Sequence, residues 1–519
     1  MNTPTLSALL AFLATAVLPV LSGACVRLPA QDKQPLDSRI AEAIEDELTL
    51  DRAVPAHSID IEVAAGIATL SGKVDNLLAS DRAAAIARTV RGVRAVVHLL
   101  QVKRPRDMSA AELKASITAA LTTDPATDAH EVRVSTDEQG AALLAGTVQS
   151  WAERHLCATV VAGVAGVSSI DNQIDVDHRA VRKDDEIEKE IAARLRWNIL
   201  VDDGLIVVQC TDGHVRLFGT VGSASERYRA RSLAMIEGVR DVAVEDLQVD
   251  KWERDSMMRR SKYAVRSNEQ VRTALGAALS VDPRVSGFDT TVDVDQGVVT
   301  LRGNVDNLKA RRAAGEDARK TVGVSRVVNR LRVKPAVELS SQTIAQSVKA
   351  ALDRHWYFDR GDVGVTVSDG VARLFGRVDS NFERVYADDV AARVAGVVEV
   401  KNLIAVRDQR FIAFDPHVDE SSMQSFGWYR HEPWRSLDSD DEIERRLGEE
   451  LWWSPFVNSG DVVMSVDAGV VTISGTVASD VERQAAVKNA YDAGAVWVVN
   501  QLTLPDRAAT GAETTPDRQ

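Results

Sequence analysis

The sequence predicts an α+β protein, a tandem array of six small α-β-β-α-β units, each a three-stranded sheet covered on one face by two helices. Three observations predict this class. A hairpin motif, G-x-x-x-[LI]-x-G-x-V, occurs six times, an apolar helix pattern precedes each copy, and a second helix with its own cap follows each copy. Self-similarity at a regular spacing is the signature of a repeat architecture. The six motifs begin at Gly66, Gly140, Gly213, Gly297, Gly370 and Gly469.

The first element of each unit is an amphipathic helix. Apolar residues stand at positions i, i+4 and i+8, which places them on one stripe of a helix that faces the core. The six triads are Ile40/Ile44/Leu48, Leu113/Ile117/Leu121, Ile187/Ile191/Leu195, Val271/Leu275/Leu279, Ile344/Val348/Leu352 and Ile443/Leu447/Leu451.

A β-hairpin follows the first helix. A short alternating strand leads to the first glycine of the motif, which is expected to turn the chain. The second glycine lies on the same face as the hydrophobic residues of the second strand, so we expect it to let a helix pack close to the sheet, and a β-bulge is the competing interpretation. These structural glycines are Gly72, Gly146, Gly219, Gly303, Gly376 and Gly475.

The second helix carries cap signals at both ends. Four units have the S-x-x-E capping box, in which the serine caps a backbone N–H and the glutamate returns the bond, and the other two have an asparagine cap. A glycine is expected at each helix end, where it tolerates the left-handed conformation, and a last strand follows. The caps are Ser150, Ser223, Ser380, Ser479, Asn76 and Asn307, and the glycines are Gly92, Gly166, Gly238, Gly323, Gly396 and Gly494.

The repeats divide the chain into domains. Units of this size have marginal cores, so we expect neighbouring units to stack or to pair their sheet edges. The predicted units span residues 37–103, 109–177, 184–250, 267–333, 340–407 and 438–504; residues 251–266 form a basic linker, 408–437 an aromatic-rich linker and 505–519 a disordered tail.

The repeat resembles the BON domain, a module of bacterial osmotically inducible and nodulation proteins. The resemblance rests on the hairpin motif, the S-x-x-E-R start of the second helix and the ending G-V-x-x-V-x-N-x-[LI]-x-V, which recur in register six times. It implies a bacterial envelope role, either attachment to phospholipid or maintenance of outer-membrane integrity. Some members of the family resemble periplasmic chaperone-like proteins, and others serve assembly in channels and secretion pores.

Residues 1–25 form an apolar segment that ends in small residues and Cys25. This pattern is typical of a secretory signal and resembles a bacterial lipoprotein signal, in which the cysteine becomes the lipidated first residue. Plain cleavage and an uncleaved anchor are the alternatives. We therefore expect an exported protein of the periplasm, anchored through Cys25, with the outer membrane as the favoured site. The remaining cysteines, Cys157 and Cys210, lie on apolar faces and are expected to be buried thiols rather than a disulfide.

The composition excludes several functions. The formal net charge is −14, whereas a protein that binds nucleic acid needs a basic surface. The sequence contains no phosphate loop, dinucleotide motif, H-E-x-x-H or G-x-S-x-G motif, and its His residues are not at metal-ligand spacing. What recurs in the six units is caps, turns and core. The sequence therefore predicts no enzyme, no cofactor and no metal.

Aromatic and basic residues supply the candidate contacts to a membrane or a partner. Tryptophans stand at the end of the first helix in three units, where an interfacial ring or simple core packing would account for them. Others lie in the two long linkers. The candidates are Trp197, Trp252, Trp356, Trp428, Trp434, Trp452, Trp453, Arg259, Arg260 and Lys262.

The leading hypothesis is a non-enzymatic envelope protein of tandem BON domains that binds phospholipid or an envelope protein at the membrane surface and supports envelope integrity. The alternative is a periplasmic assembly, scaffold or chaperone-like protein whose units pair with other proteins or with themselves in a homo-oligomer.

Overall fold

The computed structural model describes residues 36–51, 53–103, 108–127, 132–177, 182–250, 266–358, 363–406, 439–454, 456–467, 469–477, 480–495 and 497–504. All of them belong to one compact unit, Pro35–Gln519.

The predicted fold class is confirmed, because the described residues form six successive α-β-β-α-β repeats. The first helices are Asp37–Leu50, Ala110–Thr123, Asp184–Trp197, Asn268–Val281, Ser341–Asp353 and Asp440–Trp453. The second helices are Leu77–Thr89, Trp151–Ala162, Ala224–Ala234, Leu308–Lys320, Asn381–Ala392 and Asp480–Asp492.

Each sheet places the second strand of the hairpin in the middle. The first strand pairs with it antiparallel, and the last strand, reached through the second helix, pairs with it parallel. The first strands are Ile59–Ala64, Arg133–Thr136, Ile206–Thr211, Thr290–Asp295, Val363–Ser368 and Val462–Asp467. The middle strands are Ile67–Val74, Ala141–Val148, His214–Val221, Val298–Val305, Val371–Val378 and Val470–Thr476.

The last strand is continuous in four repeats and divided in the other two. The continuous strands are Ala95–Val102, Ser169–Val176, Glu399–Val406 and Trp497–Thr503. The divided ones are Asp241–Ala243 with Leu247–Val249, and Arg326–Asn329 with Arg332–Val333.

Every repeat has its own hydrophobic core between the sheet and the helices. All six predicted helix triads are buried in these cores, which confirms the prediction from their helical spacing. The opposite face of each sheet carries the exposed positions of the alternating strands, so each repeat leaves one open sheet face.

The hairpin turns also follow the prediction. In the first repeat Ala64 pairs with Ile67, and the two residues between them have positive φ, which is the two-residue turn that suits the twist of a hairpin. The second repeat differs, as its longer motif predicts, because Thr136 pairs with Ala142.

The second glycine of the motif has a different role from the expected one. At Gly303, where φ is 129°, a Cβ atom would lie 2.5 Å from the Asp289 carbonyl oxygen, and the atoms nearest to it are backbone atoms at the start of the first strand. The same relation holds at Gly72, Gly219 and Gly475. The expectation of close helix packing is therefore wrong at these positions, because the close approach is made by the neighbouring strand.

The serine caps form, but the glutamate bond is shifted by one residue. Ser150 accepts from the Glu153 amide as expected, while the Glu153 carboxylate accepts at 2.7 Å from Gln149, the residue before the cap. In the third repeat Glu226 likewise accepts from Gly222 at 2.9 Å and also from the amide of Asp202. This glutamate thus ties the loop after the first helix to the start of the second. Ser479 lies outside the described residues.

The glycines after the second helix all have positive φ, as predicted. They follow the last helical residue by a short turn; Gly92, for example, comes after a helix that ends at Thr89.

The described strands form six separate sheets, so among them the repeats do not pair sheet edges, and the stacking alternative applies. The first residue of a second helix contacts another repeat. Leu77 of repeat 1 packs against the core of repeat 2, the Trp151 indole N–H of repeat 2 donates to the Val239 carbonyl of repeat 3 at 2.8 Å, and Ala224 of repeat 3 is buried in the core of repeat 1. Repeats 1, 2 and 3 therefore close into a triangle of contacts.

Repeats 4 to 6 show the same relation at two positions. Leu308 of repeat 4 is buried in the core of repeat 5. Burial lowers the pKa of Arg319 in repeat 4, and the carboxylates of Glu316 and of Asp480, the first residue of the second helix of repeat 6, oppose that shift. Two of the three contacts among repeats 1 to 3 therefore have counterparts among repeats 4 to 6. We call repeats 1 to 3 and repeats 4 to 6 the two halves of the chain.

We expect the substitution Gly303→Ala to lower the free energy of unfolding by about 2 kcal/mol or more, because the new methyl group meets a strand carbonyl at a φ that favours glycine. The midpoint of urea denaturation measures this effect. Gly276→Ala is the matched control within the same repeat. Gly276 lies in the helix Asn268–Val281 with nothing within 4 Å of a new Cβ, so this change should leave stability unchanged or raise it by about 1 kcal/mol. Equal losses for both variants would contradict the assignment.

Candidate functional site

The tryptophan turn of repeat 3 docks on repeat 4. The Val322 amide donates to the Trp197 carbonyl at 2.9 Å and the Ile199 amide donates to the Lys320 carbonyl at 2.9 Å, so two backbone segments pair as in a strand bridge. The Trp197 ring packs against the core of repeat 4, and the guanidinium of Arg266 lies 5.7 Å from the ring centroid. This turn therefore joins the two halves of the chain.

The equivalent turn of repeat 5 docks on repeat 2. The Ala165 amide donates to the Arg354 carbonyl at 2.8 Å, and His355 pairs with Val164 in an antiparallel bridge. The imidazole of His355 fills the space beside Gly163, where an added Cβ would lie 2.7 Å from a ring carbon. Trp356 follows in this turn and is half-buried.

The third turn joins repeat 6 to repeat 1. The guanidinium of Arg91 lies 4.0 Å from the Trp452 ring centroid and donates to the Trp452 carbonyl at 3.1 Å. Trp453 packs edge to face against Trp452 and also against the core of repeat 1. Arg91 stands one residue before the positive-φ glycine, as Val322 does in repeat 4. The three turns thus dock at equivalent places, the residue before the glycine, through backbone bonds in the first two and the Arg91 side chain in the third.

These contacts show where three of the candidate tryptophans lie in the fold. Trp197, Trp452 and Trp453 are half-buried at contacts between repeats, which favours the core-packing alternative over a membrane contact for these rings. The other candidates, Cys25, Trp252, Trp428, Trp434, Arg259, Arg260 and Lys262, lie outside the described residues.

Buried ion pairs also connect one repeat with another. Lys309 of repeat 4 donates to Asp124 of repeat 2 at 2.9 Å, and the two side chains are only 2% and 3% exposed. Arg312 of repeat 4 lies 2.6 Å from the carboxylate of Asp388 in repeat 5. Burial raises the pKa of Asp388, and Arg312 opposes that shift. Such pairs are costly to break, since the remaining charge stays buried without its partner.

His355 is a half-buried titratable group at the contact of repeats 2 and 5. Burial lowers its pKa to about 3, and the nearby cations Arg393 and Arg354 lower it further. The Tyr386 hydroxyl lies 3.0 Å from its Nδ1 atom. The folded chain therefore holds this imidazole in its neutral form.

The two cysteines of the repeats are buried free thiols, as predicted. Burial raises the pKa of Cys157 and of Cys210 to about 11. A thiol with a raised pKa is a poor nucleophile, so neither residue is placed for thiol chemistry.

The open sheet faces carry residues that the sequence reasoning did not select. They occupy the variable positions of the hairpin motif and alternate positions of the last strand, so their exposure follows from strand period alone. The open face of repeat 5 carries exposed apolar and basic residues side by side. Its members are Arg373, Phe375, Arg377, Lys401 and Leu403.

Two further observations concern only the part of the chain that the structure describes. It contains no group of three or more His, Cys, Asp or Glu side chains that could hold a metal ion. No helix within it has the length and apolar character needed to cross a bilayer.

Comparison with known proteins identifies the repeat. The family model described as the BON domain matches six segments, residues 36–104, 109–178, 183–251, 267–335, 340–408 and 439–506. A curated relative, osmotically-inducible protein Y of Escherichia coli strain K12, is 34% identical over 132 residues, which is 24% of this chain and 66% of that protein. The chain thus spans a little under two thirds of the length of this relative.

Two solved structures show weaker similarity. Both are of CdsD, a structural protein of the type III secretion system of Chlamydia trachomatis, at 16% and 17% identity. They cover 39% and 44% of this chain, and 90% and 100% of their own length, each with a TM-score of 0.12. These TM-scores are too low to compare the arrangement of the repeats with the CdsD structures.

We expect Lys309→Met to lower the free energy of unfolding by about 3 kcal/mol, because it leaves the Asp124 carboxylate buried without its nearest cation. Urea denaturation measures the loss. The double variant Lys309→Met/Asp124→Asn should recover part of it. Lys189→Met is the matched control, since the Lys189–Asp185 pair is 77% and 61% exposed and should matter little. Equal effects at both sites would contradict a structural role for the buried pair.

We expect the contact of repeats 2 and 5 to weaken in acid. An unfolded histidine has a pKa of about 6.5, whereas the pKa of His355 in the fold is about 3. The unfolded chain therefore binds the proton first, and stability present above pH 6.5 is lost as the pH falls toward 3.

The substitution His355→Gln should flatten this loss between about pH 7 and pH 4, as measured by thermal melts across that range. His57→Gln, at an exposed site in repeat 1, is the control and should keep the pH profile of the unmodified chain. An unchanged profile in His355→Gln would show that other groups carry the acid sensitivity.

Proposed function

The chain belongs to the BON domain family, and from that premise we propose that it is a non-enzymatic protein of the bacterial envelope that binds phospholipid or a protein partner at the membrane surface and supports envelope integrity. The observation that carries this proposal is a contrast within each repeat between the parts that recur and the surface that varies. Caps, turns and core recur in all six, whereas the open sheet faces differ.

The repeated polar groups support a binding role rather than catalysis. The serine caps hold helix ends, the glutamates tie loops to helices, and the buried ion pairs hold repeats together. These groups are already committed to the fold. A protein of this kind acts through surfaces, and the varied open faces offer six different ones.

The location proposed for the chain follows from its N-terminal segment and its relative. The lipoprotein-like sequence before Cys25 supports export and a tether to the outer membrane. The similarity to an osmotically inducible protein supports a role of this chain under osmotic stress.

A scaffold function is the second candidate, and the free sheet edges favour it. In repeat 1, the strands Ile59–Ala64 and Ala95–Val102 pair, among the described strands, with the middle strand alone, which leaves their outer edges for a strand of another chain. Such a protein would bind partners, or further copies of itself, by strand addition.

The test is co-sedimentation of residues 31–519 with lipid vesicles, which excludes any lipid anchor on Cys25. We expect binding to vesicles that contain phosphatidylglycerol, weaker binding to zwitterionic vesicles, and a decline between about 0.01 M and about 0.15 M salt, where the Debye length falls from about 30 Å to about 8 Å. No binding to either vesicle, together with a mass that rises with protein concentration in light scattering, would favour the scaffold.

A further inference from the structure

The open face of the repeat 5 sheet combines exposed apolar and basic side chains. It is formed by the strands Val363–Ser368, Val371–Val378 and Glu399–Val406. Phe375 is 46% exposed and Leu403 is 66% exposed, in contrast to the buried residues Leu374 and Ile404 beside them in the chain. Arg377 and Lys401 are also exposed, and Arg373 is partly so. We call these five outward residues the repeat 5 face.

The aromatic ring of this face lies flat on the sheet. Gly364 pairs with Phe375 across the hairpin, and a Cβ atom at residue 364 would lie 2.3 Å from a carbon of the Phe375 ring. The ring therefore occupies the space above the glycine. On the other side, Phe375 pairs with Leu403 of the last strand. The result is an apolar stripe that crosses all three strands and faces outward.

Cations flank this stripe on both sides. Arg373 pairs with Lys401 on one side, and Arg377 pairs with Ala405 on the other. Like charges at neighbouring positions of a sheet repel each other, so this arrangement does not stabilise the fold. Among the described residues none of the three cations has an ion-pair partner within 4.0 Å, and Glu399 is the one acid among the outward residues of the last strand in this repeat.

The other repeats show that the fold does not require these residues. At the positions of Arg373, Phe375 and Arg377, repeat 6 has Thr472, Ser474 and Thr476 on a strand with the same register. At the positions of Lys401 and Leu403, repeat 2 has Asp171 and Gln173. Repeat 3 has Arg216 and Phe218 at the first two positions, but the Arg216 guanidinium lies 2.6 Å from the Asp246 carboxylate and Phe218 is half-buried. The combination of residues on the repeat 5 face is thus not a requirement of the scaffold.

We propose that the repeat 5 face is the surface through which this chain contacts an anionic phospholipid bilayer. This inference rests on the proposed function and assigns a site to it. The cations meet lipid phosphates, while Phe375 and Leu403 enter the head-group region, where partly apolar faces are stabilised. A bilayer offers phosphate and hydrocarbon across the full width of such a face, which has its apolar stripe between two cationic margins.

The acidic character of the whole chain does not prevent this contact. The formal net charge is −14, but at 0.1 M salt the field of a charge is screened over about 10 Å. A bilayer at the repeat 5 face therefore responds chiefly to the local cations. The face also differs from the tryptophan turns, whose rings are engaged between repeats.

Variants that take their new residues from other repeats of the chain test the proposal in residues 31–519. Arg373→Thr/Arg377→Thr copies the repeat 6 residues and removes two cations. Phe375→Ser/Leu403→Gln copies repeat 6 at the apolar stripe. Arg326→Ala/Arg332→Gln is the matched control, since it removes two exposed cations from the open face of repeat 4 and copies repeat 1. Thermal melts confirm that each variant keeps the fold.

Affinity for phosphatidylglycerol vesicles should fall by about tenfold or more in Arg373→Thr/Arg377→Thr at low salt, because each surface cation contributes strongly to binding. Phe375→Ser/Leu403→Gln should lose the part of the binding that persists at high salt. The repeat 4 control should change affinity by less than about twofold.

Each contrary result has its own meaning. Failure of the unmodified chain to bind vesicles would overturn the lipid function and this site together. Vesicle binding that is equal in the unmodified chain and in both repeat 5 variants would overturn the site alone. Equal losses in the repeat 4 and repeat 5 charge variants would show binding by overall charge and overturn the site. If soluble polyglutamate displaces the chain from labelled vesicles as effectively as unlabelled vesicles do, the face would be assigned to an acidic protein instead.

Discussion

The arrangement of the repeats depends on one interaction, the docking of the turn after a first helix onto the end of a second helix in another repeat. Two backbone hydrogen bonds and the packing of Trp197 against a foreign core define it between repeats 3 and 4. A domain of this size buries too small a core to be more than marginally stable alone. The docked turns extend the cores of repeats 4 and 1 beyond their own residues, so the pairing of the repeats and part of their stability follow from them.

Much of the repeat could be predicted from the sequence, because its signals are local. The helix triads, the serine caps and the positive-φ glycines depend on near neighbours in the chain, and those that the structure describes appear where the motifs indicate. The role of Gly303 could not be found in this way, since the close carbonyl belongs to the other strand of the hairpin. The burial of Lys309 could not be predicted from the sequence either, because its partner Asp124 lies two repeats earlier in the chain.

The sequence left two roles open for the tryptophans at the ends of the first helices, an interfacial ring or core packing. The rings of Trp197 and Trp453 pack against the cores of other repeats, a contact that no spacing within one unit indicates. Phe375 and Leu403 lie at outward positions of their strands, so their exposure follows from the strand period. Contacts between repeats, by contrast, are not encoded in the period of any single unit.

The pairing of the repeats is nested, since repeat 3 docks with 4, 2 with 5, and 1 with 6. This order has a consequence for biosynthesis. The central pair is complete once four repeats have been made, whereas repeat 1 meets its partner only after the last repeat emerges. A chain interrupted after repeat 5 lacks the turn that holds Trp452 and Trp453, and it leaves the docking surface around Arg91 uncovered. The surface around Arg91 thus depends on repeat 6 for its cover.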